Sequence, residues 1–207
     1  MTTEDRLTMQ LGTVMFTQRA IRRLKADPIP DRDIRDVLEA AIRAPSGSNN
    51  QPWHFVVMKD PDVRTKFGQL YKEAWWAKRK DSGIRSPEDL PVNDPITQSA
   101  TRLADDIGRA PVIILVCATA MGPGAMGSVI PATQNLLLAA RSLGIGGTIT
   151  TLHATVEGRV RTLLEIPETV QLVYCVPLGY PRGNFGPTSR KPLDEVCSGD
   201  KWGHRLK

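Results

Sequence analysis

From Ser128 to Leu143 the chain reads as a helix with almost no polar face, because Ile130, Ala132, Leu136, Leu137, Leu138, Ala139 and Ala140 fall on all sides of the helical turn. Such a helix has to be covered nearly all round. A chain of 207 residues has the size of one domain, and its own sheet covers one side of such a helix at most. A second copy of the chain is the economical cover for the rest, so the pattern predicts an obligate homodimer. Ser128 is placed to cap the start of this helix, and Gly144 to end it in a C-terminal cap.

The flanking segments supply a sheet for that helix. Val112 to Ala118 is a continuous apolar run between Pro111 and a Gly-rich turn, which predicts a central strand buried on both faces, with helices on both sides. Trp53 to Lys59 and Gln171 to Gly179 read as further strands. Ile34, Val37, Leu38, Ala41 and Ile42 recur at helical spacing, predicting a helix over 31–43 with Asp31 as N-cap after Pro30. Asp62 to Ala77 after Pro61 and Thr155 to Leu164 are also expected to be helical, and a short helix is expected within residues 1–16.

Composition excludes several classes. Hydrophobic residues make up 41% and charged residues 24%, as in an ordinary folded domain. The formal net charge of +5 favours anionic ligands, but the basic residues are scattered and no nucleic-acid-binding signature accompanies them. Cys117, Cys175 and Cys197 are too far apart for a Cys-x-x-Cys site, and His54, His153 and His204 do not pair at metal-ligand spacing, so no metal is expected. The longest apolar run, Ala110 to Ala120, is too short to cross a bilayer, and the polar N-terminus lacks a secretory pattern. No membrane association and a reducing cytoplasm are the expectations.

Four segments carry candidate binding chemistry. Arg19, Arg22 and Arg23 form a basic cluster, and guanidinium groups grip phosphate in pairs of parallel hydrogen bonds. Ala44-Pro45-Ser46-Gly47-Ser48-Asn49-Asn50-Gln51-Pro52-Trp53 offers hydroxyls, amides and a glycine that permits close backbone approach, a set suited to a flavin or nucleobase. The same residue types also build ordinary turns. Gly146, Gly147 and Thr148 follow the apolar helix and could present backbone N–H groups to a flat ligand. Thr188-Ser189-Arg190-Lys191 adds a second basic pair. Between Ala77 and Asn93 the chain makes a polar excursion without sustained period, of the kind used for lids. Trp75 and Trp76, directly before it, either pack in the core or line a pocket for a planar substrate.

Five motifs, in order, resemble the FMN-dependent nitroreductase family: Arg19-Ala20-Ile21-Arg22-Arg23-Leu24, the loop from Ala44 to Trp53, Ala139-Ala140-Arg141-Ser142-Leu143-Gly144-Ile145-Gly146, Leu178-Gly179-Tyr180-Pro181, and Arg190-Lys191-Pro192-Leu193-Asp194-Glu195-Val196. The resemblance spans roughly Thr17 to Val196. It implies a single α+β domain over residues 1–207, with a central mixed β-sheet flanked by helices, in an intertwined homodimer with FMN at the subunit interface. Arg19, Arg22 and Arg190 match the family's phosphate contacts, and Asn49 matches a flavin contact. Ser46, Ser48 and Gln51 are looser matches in the same loop, while Gly146, Gly147 and Thr148 match the stretch beside the isoalloxazine ring. Gln18 and Ala20 depart from the family's usual Arg and Ser, which removes one phosphate contact and one hydroxyl.

The activity implied is that of an oxidoreductase in which the flavin carries the chemistry and no side chain acts as nucleophile or general base. NADH or NADPH would give a hydride and then yield the pocket to an electron-poor acceptor, such as a nitroaromatic or a quinone, in ping-pong order. Relatives with this fold that remove halogen from aromatics or use oxygen to break down the flavin are the alternatives, with a non-catalytic flavin binder as a third. The excursion between Ala77 and Asn93 would select among substrates.

Overall fold

The computed structural model describes residues 1–80, 83–91 and 93–206. In chain order the helices are α1 (Thr3–Arg6), α2 (Leu11–Thr17), α3 (Asp31–Ala41), α4 (Pro61–Lys80), α5 (Pro95–Asp106), α6 (Pro123–Ser142) and α7 (Glu157–Leu164), and the strands are β1 (Trp53–Met58), β2 (Val112–Ala118), β3 (Gly146–Gly147) and β4 (Gln171–Gly179). The strands form one sheet in the order β1-β2-β4-β3, and its three ladders are antiparallel. A parallel element enters through a single bridge between Ala20 and Gly147. Helices and this sheet together make the expected α+β architecture.

Strand β2 is buried along its whole length, and the two-residue period of a strand divides its side chains between two cores. Val112, Ile114, Val116 and Ala118 meet Val37 and Ala41 of α3 and Val129, Leu136, Leu137 and Ala140 of α6. Ile113, Leu115 and Cys117 meet Phe67, Leu70, Tyr71 and Trp75 of α4 with Leu103 and Ala104 of α5. Helices therefore cover both faces, as the continuous apolar run requires. Trp53 stands opposite Ala118 at one end of β2, and Leu178 stands opposite Val112 at the other. A bulge separates Val116 from Cys117 in the pairing with β4.

The apolar helix starts earlier than its apolar pattern. Gly122, at φ 95°, turns the chain so that Pro123 begins α6, and Ser128 lies inside the helix, donating its Oγ to the Gly124 carbonyl at 3.1 Å. Ser128 is thus a buried helical serine and not the cap. Gly144, at φ 73°, ends the helix as expected. Asp31 is the first residue of α3 and Pro30 occupies the cap position, where no side-chain cap bond forms. Helix α4 runs on to Lys80, its last turn carrying Lys78, Arg79 and Lys80, charges that favour a helix C-terminus. Those residues leave the predicted excursion, of which Asp81, Ser82 and Val92 lie outside the described residues.

Helix α5 follows the excursion and has a legible start. The Asp94 carboxylate accepts from the amides of Ile96 and Thr97 at 3.1 and 3.0 Å, and Pro95 opens the first turn. Two short helices occupy residues 1–16 where one was expected, and a single turn over Leu152–Val156 precedes α7. Leu11, Met15 and Phe16 of α2 are exposed, as is Ile130 on the outer side of α6. Apolar surface thus remains exposed on α2 and on the outer side of α6, the helix whose apolar pattern predicted a second copy.

Candidate functional site

The basic N-terminal cluster is positioned by an extended segment that lies on the edge of the sheet. The Ile21 amide donates to the Gly147 carbonyl at 2.9 Å, the Lys25 amide to Tyr180 at 2.8 Å, and the Arg182 amide to Arg23 at 2.9 Å. The C-terminal strap crosses beside it. There the Gly186 amide reaches the Thr17 carbonyl, the Arg141 Nε donates to the Thr17 hydroxyl at 2.9 Å, and the Arg141 guanidinium stacks 4.1 Å from the Phe185 ring centre. Arg141 and Phe185 are positioning residues that the sequence did not single out, since neither has a meaning until the two chain ends are brought together.

These contacts bring Arg19, Arg22 and Arg190 to one cavity of about 320 Å³, together with Gln18, Thr188 and Ser189. Among the described residues no carboxylate lines it. Arg190 donates to the Ser189 carbonyl at 2.8 Å, which holds one side of its guanidinium and leaves the rest for a ligand. Three guanidinium groups, two hydroxyls and an amide form a donor set that suits a phosphate dianion. Gln18 stands in this lining, so the departure from the family's Arg keeps a hydrogen-bond donor although it gives up a charge. Ala20 contributes backbone pairing to Gly147 in place of a hydroxyl.

Arg23 does not join them. The segment is extended and not helical, so helical spacing does not apply, and Arg23 lines a different cavity. Gly146, Gly147 and Thr148 are buried, and their smallness serves packing: a Cβ on Gly146 would lie 2.9 Å from Ile21 Cβ, and one on Gly147 would lie 2.9 Å from the Pro177 carbonyl oxygen. The exposed residues of this stretch are Ile149 and Thr151.

The loop of Ser46, Ser48, Asn49 and Gln51 stands at the far end of the sheet. Its Gly47 amide donates to the Ser128 Oγ at 3.2 Å, in the first half of α6, and Pro52 accepts from the Thr119 amide just beyond β2. Gly147 pairs with Leu178, which faces Val112 at the opposite end of β2. At about 3.3 Å per residue the two ends of this strand are about 20 Å apart. Within one chain, therefore, the loop and the arginine cavity do not line one pocket.

The loop has a shape of its own. Ser48, Asn49 and Gln51 take φ of 51°, 54° and 49°, a left-handed conformation that costs non-glycine residues free energy, while Gly47 does not use its freedom. The Ser46 hydroxyl accepts from the Gln51 amide at 2.8 Å and closes the turn, leaving the Asn49 and Gln51 side chains exposed.

Trp75 is a core residue, 7% exposed, with the Arg79 guanidinium 4.2 Å from its ring centre. Trp76 is half-buried against the same cluster. Trp75 thus packs in the cluster that also holds Leu103 and Ala104 of α5. Nearby, Tyr71 shares a hydrogen bond of 2.7 Å with Thr150, and burial pushes its pKa up to about 12, so the phenol stays protonated. Among the described residues no group of three or more His, Cys, Asp or Glu is placed to hold a metal ion, and no helix is long and apolar enough to cross a membrane.

The family model described as the Nitroreductase family matches residues 16–180. The chain belongs to this family. The matched span takes in Arg19, Arg22, the Ser46 to Gln51 loop and Gly146 to Thr148, and stops short of Arg190. Among curated relatives, the chain is 32% identical over 195 residues to NADH dehydrogenase of Thermus thermophilus, covering 89% of this chain and 93% of that protein. It is 31% identical over 195 residues to iodotyrosine deiodinase 1 of Rattus norvegicus, covering 88% of this chain and 67% of that one. A crystal structure of oxidized iodotyrosine deiodinase bound to FMN and 3-iodo-L-tyrosine superposes with a TM-score of 0.72 at 25% identity, over 93% of this chain and 99% of that chain. The chain is thus similar to relatives whose names denote two different chemistries.

Proposed function

We propose that this nitroreductase-family protein is an FMN-dependent oxidoreductase that takes reducing equivalents from NADH or NADPH and passes them to electron-poor acceptors such as nitroaromatics or quinones. The observation that carries the reading is the convergence of Arg19, Arg22 and Arg190, from opposite ends of the chain, on one cavity without a carboxylate. The relative named NADH dehydrogenase supports the choice of donor.

FMN, when bound, supplies the two-electron chemistry. The chain's own residues do the rest. Arg19, Arg22 and Arg190 hold the phosphate, with Thr188 and Ser189 as hydroxyl partners. The Ser46 to Gln51 loop, standing about 20 Å away at the other end of β2, meets the flavin from a second copy of the chain, its left-handed backbone fixing the direction of the Asn49 amide. Exposed Leu11, Met15, Phe16 and Ile130 give that second copy its apolar seat. Hydrogen-bond donors beside the flavin ring, such as the Asn49 amide and the backbone amides near Gly147, would favour its anionic reduced state.

A second acceptor class is supported by a specific likeness. The relatives named iodotyrosine deiodinase, one with FMN and 3-iodo-L-tyrosine in its crystal structure, make reductive removal of halogen from a phenol the alternative reaction. The test is anaerobic reduction of the purified protein by each nicotinamide in turn, followed by a panel of quinones, nitroaromatics and halophenols. Turnover of the first two classes supports the reading, halide release identifies the alternative, and a flavin that neither donor bleaches overturns the nicotinamide-driven reading and leaves another electron donor or a binding role. Arg190→Ala is expected to lower FMN affinity by about 10-fold or more with the fold intact. Wild-type retention in that variant would move the phosphate elsewhere.

A further inference from the structure

Arg22 faces two cavities. Behind the cradle it shares with Arg19 and Arg190 lies a second cavity of about 490 Å³, walled also by Arg23, Arg102, Arg109 and Arg182. Asp106 is the single carboxylate in that wall, and it pairs with Arg109 at 3.5 Å. Arg182 donates its Nε to the Leu24 carbonyl at 3.0 Å, which fixes the guanidinium at the rim. Among the described residues no carboxylate forms an ion pair with Arg22, Arg23, Arg102 or Arg182. The five arginines come from three separate parts of the chain: the extended N-terminal segment, the end of α5 with the turn after it, and the residues following β4.

Five cations around one opening repel each other, and a single carboxylate already committed to Arg109 does not offset that repulsion. An anion entering the cavity does. The volume lies within the range of small-molecule sites and exceeds what a lone phosphate needs. Guanidinium groups lining one cavity from three parts of the chain match the spread oxygens of a diphosphate or a phosphomonoester on a sugar.

We propose that this cavity is a second phosphate site, adjoining the flavin-phosphate cradle through Arg22, and that it takes a phosphorylated small molecule carrying a diphosphate or sugar phosphate. Two sources present that chemistry: the adenylyl half of NADPH with its 2′-phosphate, and a free phosphate compound. The first rests on the flavin reading above, whereas the binding site itself does not.

The experiment uses flavin-loaded protein and two probes, adenosine 2′,5′-bisphosphate and inorganic pyrophosphate, titrated calorimetrically at low and moderate salt. The variant is Arg102→Ala with Arg109→Ala, both exposed and neither part of the flavin cradle. Wild-type protein is expected to bind at least one probe, more weakly at higher salt, and the double variant to lose about 10-fold or more in affinity while keeping its flavin. Tighter binding of the adenosine bisphosphate, with a matching rise in the variant's KM for NADPH but not NADH, assigns the site to the donor. Equal or tighter binding of pyrophosphate assigns it to a free phosphate compound. No binding of either probe to the wild type, or undiminished binding to the variant, overturns the proposal. Because the titration needs no turnover, a protein whose flavin is not reduced would sink the oxidoreductase reading and leave this result interpretable.

Discussion

The Ile21 amide donates to the Gly147 carbonyl at 2.9 Å, so the arginine-bearing N-terminal segment is hung on the short strand β3. The adjacent Gly146 would place a Cβ 2.9 Å from both Cβ and Cγ2 of Ile21, closer than packed carbons tolerate. Because Ile21 is branched at Cβ, no rotamer relieves that contact. Gly146→Ala is therefore expected to cost about 1–3 kcal/mol, read as a lower thermal midpoint. It should also weaken FMN binding, since Arg19 and Arg22 ride on the displaced segment. A variant with the wild-type midpoint and wild-type FMN affinity would show that the segment does not depend on this seat.

His153 is 1% exposed, and neither ring nitrogen has a hydrogen-bond partner among the described residues. Burial pushes its pKa from 6.5 down to about 4, with Glu157 pulling weakly the other way. Between those values the unfolded chain takes up a proton that the folded chain refuses, so stability falls as pH falls. The contribution is complete above about pH 6.5 and about 3 kcal/mol smaller at pH 4 and below. Denaturant unfolding across this window should show the slope in the wild type and its loss in His153→Phe. An unchanged slope in the variant would place the proton uptake on another group.

How much of this was legible in the sequence depends on the range of the signal. Strand β2 could be read because its apolar run is local and its burial is uniform, and β4 because Gln171 to Gly179 has strand composition throughout. The start of α6 was misplaced at Ser128 because a serine before an apolar run looks like a cap, while the true start at Pro123 follows a glycine whose φ the sequence does not display. Helix α5 begins directly after the excursion that ends at Asn93 and was not predicted, although Asp94-Pro95 is a capping signal. The candidate site was legible as a set of residues but not as a shape. Arg19 and Arg190 meet through Thr17, Arg141 and Phe185, contacts between chain ends that no local pattern encodes. Likewise, nothing in the spacing of Arg23, Arg102, Arg109 and Arg182 marks them as neighbours.

The separation of the Ser46 to Gln51 loop from the arginine cradle makes a prediction about pairs of chains. If the loop of one copy completes the cradle of the other, a chain lacking its cradle and a chain lacking its loop should repair each other. One partner carries Arg19→Ala with Arg190→Ala. The other carries Asn49→Gly, which removes the amide but keeps the φ of 54° accessible. Each alone should show little FMN-dependent oxidation of NADH or NADPH. After joint unfolding and refolding, half of the dimers are mixed, and each mixed dimer holds one intact site and one doubly defective one, so activity should return to about a quarter of the wild-type value. Recovery to that level ties Asn49 and Arg190 to one ligand across the dimer. If mixed dimers form, as judged by a tag on one partner, and activity does not return, the loop and the cradle serve different ligands.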